Sequence, residues 1–232
     1  AVTAKYHRAE RQYLLGKQAI LNGRKMEEVE AFFQRALALA PENRTIRYQV
    51  FGHYFETAKY HFARNKKASA EAMLARAVAI WPDDASACWM LAQSMIDSGQ
   101  MQQATTLLEQ VVVLDLKHLE ARRQLVTIHF NSGNPQRAIG HLRVIIAADT
   151  QDIESQYRLG FLLGAEGSYA EALQILNKAY RSAPNHPHVI HCLAWVLWHS
   201  GQEQRAREVV RKCGDYYRSQ PEMERLRNQL MD

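Results

Sequence analysis

Ten histidines are potential metal ligands in this sequence, and His186, His188 and His191 fall close together, the last two one helical turn apart. Three imidazoles in one segment could hold a divalent ion. No carboxylate or thiolate accompanies them at a ligand spacing, so no metal site is expected. His129 and His141 are scattered and read as hydrogen-bonding or packing residues. Cys88, Cys192 and Cys213 are far apart with no CxxC pair, which points to buried thiols rather than a disulfide framework or a zinc knuckle. No GxGxxG, phosphate loop, HExxH or nucleophile elbow occurs. The expectation is a chain with no catalytic residues and no cofactor, and what remains is binding chemistry: aromatic rings and arginines that must be brought onto one surface.

Composition permits a packed core. The 232 residues are 47% hydrophobic and 23% charged, with 11 Gly and 6 Pro, a globular rather than a disordered profile. No apolar run reaches the roughly 18 to 20 residues of a membrane crossing. Ala1 to Lys5 lacks the basic start of a signal peptide, but the first residue is not Met, so an upstream signal or anchor is one expectation. The compartment is weakly constrained: cytoplasmic by default, with the soluble part of an anchored or exported protein as the alternative. The net charge of +5 is concentrated in residues 1–70, where 13 Lys and Arg face 6 Asp and Glu.

The elements that carry these residues follow from an internal repeat, the first thing to seek in a chain of this length. Ala70, Ala104, Ala138, Ala172 and Ala206 are each 34 apart. The same step relates Ala77, Val111, Ile145, Ala179 and Cys213; Leu91, Leu125, Leu159 and Leu193; and Asn65, Gly99, Gly133, Gly167 and Gly201. Ala36 and Val50 each stand 41 before the next member of their series. Within a unit the apolar residues recur twice at helical spacing on either side of the glycine turn, so each unit is a helix–turn–helix hairpin. Pro41, Pro82 and Pro184 end second helices. One hairpin cannot bury its apolar faces alone, so neighbours must stack.

Gly160, Gly167, Tyr169, Ala172, Ala179 and Pro184, together with Leu159, match the tetratricopeptide repeat consensus position by position, and the sequence resembles that family over nearly its whole length. The resemblance implies an all-α fold, a right-handed α-solenoid of stacked hairpins acting as a binding scaffold. A single domain over 1–232 is expected. It comprises an irregular unit at 10–43, an extended one at 44–84, regular units at 85–118, 119–152, 153–186 and 187–220, and a capping helix at 221–232. In the first unit Gly16 replaces a large apolar residue and Arg24 the turn glycine. The extra seven residues of the second unit lie between about 51 and 64, where the stripe Phe51, Tyr54, Phe55, Ala58, Phe62 stays in phase, predicting one long helix over 44–64. At the C-terminus Ser219 and Pro221 start a helix on which Met223, Leu226 and Leu230 recur at i, i+3 and i+7, with Arg225 and Arg227 on the outer side.

First helices carry a second face beside the packing stripe. It runs Thr45, Tyr48, Gly52, Phe55; Ser86, Trp89, Gln93, Ile96; Glu120, Arg123, Thr127, Phe130; Glu154, Tyr157, Phe161, Gly164; and His188, His191, Trp195, Trp198. In a superhelix these faces line the concave groove. The candidate partner-binding residues are Tyr48, Trp89, Gln93, Arg123, Thr127, Tyr157, Arg158, Phe161, His191 and Trp195, because exposed aromatics and Arg dominate binding hot spots. Arg123 and Arg158 are offered to a ligand's carboxylates. The alternative is that the rings pack on neighbouring helices or are covered by residues 1–9 or the C-terminal helix.

The Lys and Asn clamp with which some family members grip a C-terminal carboxylate is missing, its positions holding Leu14, Gln18, Gln49, Glu120 and Gln124. The expected partner is therefore a protein, engaged through a peptide or an amphipathic helix. Self-association is a further expectation, since a groove can accept a neighbour's terminal helix. Reading RNA base by base needs recurring polar readers, but the groove positions vary from Gly52 to Trp89 to Arg123, so nucleic acid is not the expected ligand. The second reading is nonspecific binding of nucleic acid or an anionic surface by the basic N-terminal third, including Lys59, Arg64, Lys66 and Lys67. Family analogy suggests an assembly factor of a multiprotein complex such as a bacterial secretion, pilus or polysaccharide-export apparatus.

Overall fold

Turns that require a left-handed backbone punctuate the chain at Gly23, Asn65, Gly99, Gly133, Gly167 and Gly201, with φ between 57° and 83°. Glycine, or asparagine at Asn65, adopts this conformation at little steric cost. The computed structural model describes residues 2–212, 224–226 and 228–229. Around these turns it forms α1 (Val2–Leu21), α2 (Met26–Leu39), α3 (Arg44–Ala63), α4 (Lys67–Ile80), α5 (Ala85–Asp97), α6 (Met101–Leu114), α7 (Leu119–Asn131), α8 (Pro135–Ala148), α9 (Ile153–Ala165), α10 (Tyr169–Ser182), α11 (Pro187–His199) and α12 (Glu203–Arg211). Residues 224–226 and 228–229 are also helical. No strand occurs among the described residues. The fold is an all-α solenoid of helix hairpins.

The chain divides into two compact units, Ala1–Leu116 and Lys117–Asp232. In the first, the hairpins are α1–α2, α3–α4 and α5–α6; in the second, α7–α8, α9–α10 and α11–α12. Successive hairpins pack within each unit, α4 against α5 and α10 against α11. Ala70, Ala104, Ala138, Ala172 and Ala206 are all fully buried, as are Ala77, Val111, Ile145 and Ala179. The small residue therefore marks where the two helices of a hairpin approach.

Caps set where first helices begin. The side chains of Asn43, Asp84, His118 and Asp152 accept hydrogen bonds from the backbone N–H three residues on, in α3, α5, α7 and α9. These residues repeat with the same spacing as the core positions, and each satisfies an otherwise orphaned donor. Second helices end at Ala40, Trp81 and Ala183, each preceding a proline, with φ near −140°.

The first hairpin forms despite Gly16 and Arg24, and its α1, at 20 residues, is longer than the 13 of α5, α7, α9 and α11. Gly16 is buried, and the ring of Phe33 occupies the space of the missing side chain, 2.6 Å from where a Cβ would sit. The turn glycine is Gly23, one residue before the expected position. Residues 2–9 form the first turns of α1 rather than a separate covering segment. The insertion in the second hairpin is helical throughout, making α3 a helix of 20 residues. Cys213, Ser219, Pro221, Met223, Arg227 and Leu230 lie outside the described residues.

Candidate functional site

Residues of α7, α9 and α11 enclose a cavity of about 270 Å³ in the second unit, lined by Val126, Thr127, Phe130, Tyr157, Arg158, Phe161, Leu162 and Cys192. Helical spacing puts Val126, Thr127 and Phe130 on one face of α7, and Tyr157, Arg158, Phe161 and Leu162 on one face of α9. Two glycines fix how closely α9 lies to its neighbours. A Cβ on Gly160 would meet Leu176 of α10, and one on Gly164 would meet Val196 of α11. Gly164, which the sequence pattern assigns to the groove, is in fact buried at this helix–helix contact.

The cavity wall is aromatic. Phe130 is 51% exposed at its mouth. Tyr157 packs against His186 and His188, with ring centroids 5.5 and 5.3 Å away, and the two imidazoles lie 5.9 Å from each other, so the three rings form a triangle. Burial, and secondarily the nearby Glu154 carboxylate, raises the Tyr157 hydroxyl pKa. Burial and then the charge of His188 lower that of His186, against an opposing pull from Glu154. His186 and His188 thus serve as walls for a tyrosine. Cys192 contributes a thiol whose pKa burial pushes up to about 12; at neutral pH it is a protonated, apolar lining group and not a nucleophile.

Both arginines that the sequence offers to a ligand's carboxylates are paired with carboxylates of this chain. Arg123 Nη2 donates to Asp152 Oδ2 at 2.7 Å, and Asp152 also accepts from the Ser155 N–H and hydroxyl. With its side chain only 8% exposed, Asp152 is a cap that needs a counter-charge. Arg123 therefore ties α7 to the start of α9. Arg158 pairs with Glu154 one turn earlier at 2.6 Å, on the exposed side of α9. Both line a second, polar cavity of about 280 Å³ that includes Glu120, Gln124 and Thr127.

Beyond Phe161 the face continues to Trp195, whose ring centroid lies 5.2 Å away. Trp195 in turn lies against His199 at 3.9 Å with the rings tilted, and Trp198 meets the same imidazole edge-on. His191, Trp195, Trp198 and His199, together with Arg225, Leu226 and Gln229, line a further, open cavity of about 430 Å³. Leu226 is thus buried beside this end of the aromatic face.

Tyr48, Trp89 and Gln93 belong to the first unit. Tyr48 is 57% exposed and packs edge-on against Trp81 at 5.6 Å. Phe51 and Phe55 extend the row. The Arg44 and Arg47 guanidiniums lie over the Trp81 ring, and Arg47 also donates to the Ile80 carbonyl at 2.6 Å. Trp81 escapes the groove pattern because it sits on the C-cap of α4, yet its place before Pro82 marks it as a helix end. Trp89 and Gln93 are half-buried on α5. Of the basic residues nearby, Lys59 pairs with Glu56, Lys67 pairs with Asp97 and Arg64 covers the Tyr60 ring. Among the described residues no helix is long and apolar enough to cross a membrane.

Phe130, Val126, Leu162 and Cys192 complete the cavity but are not among the candidate partner-binding residues. Phe130 falls on the second face by spacing; the other three are core-stripe residues whose edges reach the cavity, which periodicity alone does not reveal.

Residues 61–117 and 164–230 match the tetratricopeptide repeat family. No curated protein matches the chain in sequence. Among solved structures, MamA is similar with a TM-score of 0.60 at 20% identity, covering 71% of this chain and 90% of that one. The MamA of Desulfovibrio magneticus gives 0.58 at 18% identity, over 74% and 97% of the two chains. YrrB, described as a tetratricopeptide repeat protein with an unusual peptide-binding site, gives 0.61 at 18%, over 79% and 91%. At these identities the likeness is one of fold.

Proposed function

Since the chain belongs to the tetratricopeptide repeat family, whose stacked hairpins are interaction scaffolds, we propose that it is a non-catalytic adaptor holding a peptide or amphipathic helix of a partner protein on the face made by α7, α9 and α11. The observation that carries this reading is the aromatic cavity around Tyr157 and Phe161. At about 270 Å³ it falls just below the roughly 300–1,000 Å³ of small-molecule sites, a size suited to one or two large apolar side chains of a peptide. Phe130 at the mouth and Thr127 on the rim offer further contact, while the Arg123–Asp152 and Arg158–Glu154 pairs make the surroundings polar without a strong net charge. A balanced rim of this kind suits an internal apolar segment better than a chain end. YrrB, a structural neighbour with a peptide-binding site, lends support by analogy.

In this reading the protein is an assembly factor in a multiprotein complex. A secretion, pilus or polysaccharide-export apparatus is the setting that family analogy favours.

The test is affinity capture from the native cell extract with the wild-type chain, a Tyr157→Ala/Phe161→Ala chain and a Trp89→Ala chain, read by mass spectrometry. A protein retained by the wild type and by Trp89→Ala but lost with the double variant supports the site. Equal capture by all three moves the binding surface elsewhere.

A further inference from the structure

Four rings of the first unit meet in a row, and cations rest on both ends of it. Trp81 meets Tyr48, Tyr48 meets Phe51 and Phe51 meets Phe55, with ring centroids 5.6, 5.8 and 5.5 Å apart. Phe51 is the buried floor, whereas Tyr48 is more than half exposed. Arg44 and Arg47 lie over Trp81 at one end, and Lys59 lies over Phe55 at the other. Between Tyr48 and Phe55 the row dips at Gly52, where a Cβ would meet nothing within 4 Å. Helical spacing puts Arg44, Tyr48, Gly52, Phe55 and Lys59 on one face of α3, so this face offers ring surface around an open notch.

The two ends differ in charge. Lys59 is matched by Glu56 at 2.6 Å. Arg44 and Arg47 form no ion pair among the described residues. Arg47 donates one N–H to the Ile80 carbonyl, and Arg44 is exposed. Stacking on Trp81 and the bond to Ile80 hold the guanidiniums in position, which lowers the ordering cost of receiving a carboxylate.

We propose that this face of α3, together with Trp81, is a docking surface of its own, and that its occupant is an acidic, apolar segment of a partner protein. Asp or Glu of that segment meets Arg44 and Arg47, and one or two large apolar side chains lie on Tyr48 and Phe55 and in the notch at Gly52. The proposal goes beyond the α7–α9–α11 site, which lies in the other unit and has a balanced rim. Charge complementarity selects the occupant's acids: residues 1–70 carry 13 Lys and Arg against 6 Asp and Glu, and the unmatched charge on this face is positive. The exposed rings select its apolar residues, since edge and face contacts with aromatic side chains are favourable. A phosphate backbone would call for a line of unmatched cations, but here they stand at one end only. From Arg44 to Phe55 the face runs about 16 Å at about 1.5 Å per residue, the reach of about five extended residues, so a short segment suffices.

Gly52 allows a test that spares the fold, because a side chain there enters open space and favours the helix. A phage-displayed library of random linear peptides is selected on the full-length wild type after depletion on full-length Gly52→Gln. The selected peptides should combine Asp or Glu with a large apolar residue within about five positions. The strongest of them, labelled with fluorescein and followed by anisotropy, should bind the wild type saturably and bind Gly52→Gln and Arg44→Glu at least about tenfold more weakly. Exchanging its acids for Lys should restore binding to Arg44→Glu, a rescue that a merely structural role for Arg44 would not give. Thermal melts of both variants should match or exceed that of the wild type. No selected peptide, selected peptides without acidic residues, or binding that ignores Arg44 overturns the proposal. So does tighter binding of a single-stranded oligonucleotide or of phosphatidylserine vesicles that is lost in both variants, which would make the face a polyanion site.

Discussion

A Cβ on Gly160 would lie 2.4 Å from Cγ of Leu176, closer than carbon atoms approach, so α9 and α10 meet where only glycine fits. Leu176 is fully buried and cannot swing aside. Gly160→Ala should destabilise the protein by about 1–3 kcal/mol through overpacking. Gly52→Ala on α3, where nothing lies within 4 Å, should stabilise by about 0.5–1 kcal/mol by raising helix propensity. Urea unfolding of the two variants checks the opposite signs.

Asp152 serves two neighbours, capping α9 and receiving Arg123. Asp152→Ala should cost about 0.5–2 kcal/mol from the cap alone. Arg123→Ala should cost no more than about 1 kcal/mol, because the guanidinium is partly exposed. In a double-mutant cycle by chemical denaturation the two effects should be less than additive; strict additivity would remove the coupling between α7 and α9.

His53 lies beside Phe33 and Tyr54, with ring centroids 4.9 and 5.6 Å away, and burial lowers its pKa from the ordinary 6.5. Between 6.5 and the lowered folded value, the unfolded chain binds more protons than the folded one, so stability falls as the pH falls through that window. Thermal melts at pH 7, 6 and 5 should show a declining Tm for the wild type. His53→Gln should show a shallower decline, and an identical slope would mean that His53 does not contribute.

Burial raises the thiol pKa of Cys88 to about 11 and that of Cys192 to about 12. A Cys213→Ser chain should therefore react slowly with a thiol reagent at pH 8 while folded, and at both remaining cysteines once unfolded. Rapid labelling of the folded chain would show that the Cys192 wall of the cavity opens.

Phe161→Ala removes a half-buried ring that touches Trp195 and lines the α9 cavity. Helical content by circular dichroism should be preserved and affinity for the captured partner should fall by about tenfold or more, as for a hot-spot aromatic. Ala172→Leu should do the opposite, costing about 1–3 kcal/mol of stability at a fully buried hairpin contact while sparing the cavity.

The hairpins were legible in the one-dimensional pattern because a repeat writes the same packing constraint many times. A buried alanine at 70, 104, 138, 172 and 206 and a left-handed turn at 65, 99, 133, 167 and 201 follow from helix periodicity and backbone sterics, both local properties. The long α3 followed for the same reason, since its apolar stripe keeps phase through the inserted residues. In the first hairpin the fit at Gly16 is not local: Phe33, seventeen residues away, fills the volume that Gly16 leaves. The same limit governs the site. Spacing placed Tyr157, Phe161 and Trp195 on equivalent helix faces, but that Arg123 is held by Asp152, that Gly164 is spent on a helix contact, and that Leu226 is buried beside the Trp195 end are facts about side chains distant in sequence. Contacts of that kind depend on how closely helices approach and what fills the space between them, and a pattern of residue types along one chain does not contain those distances.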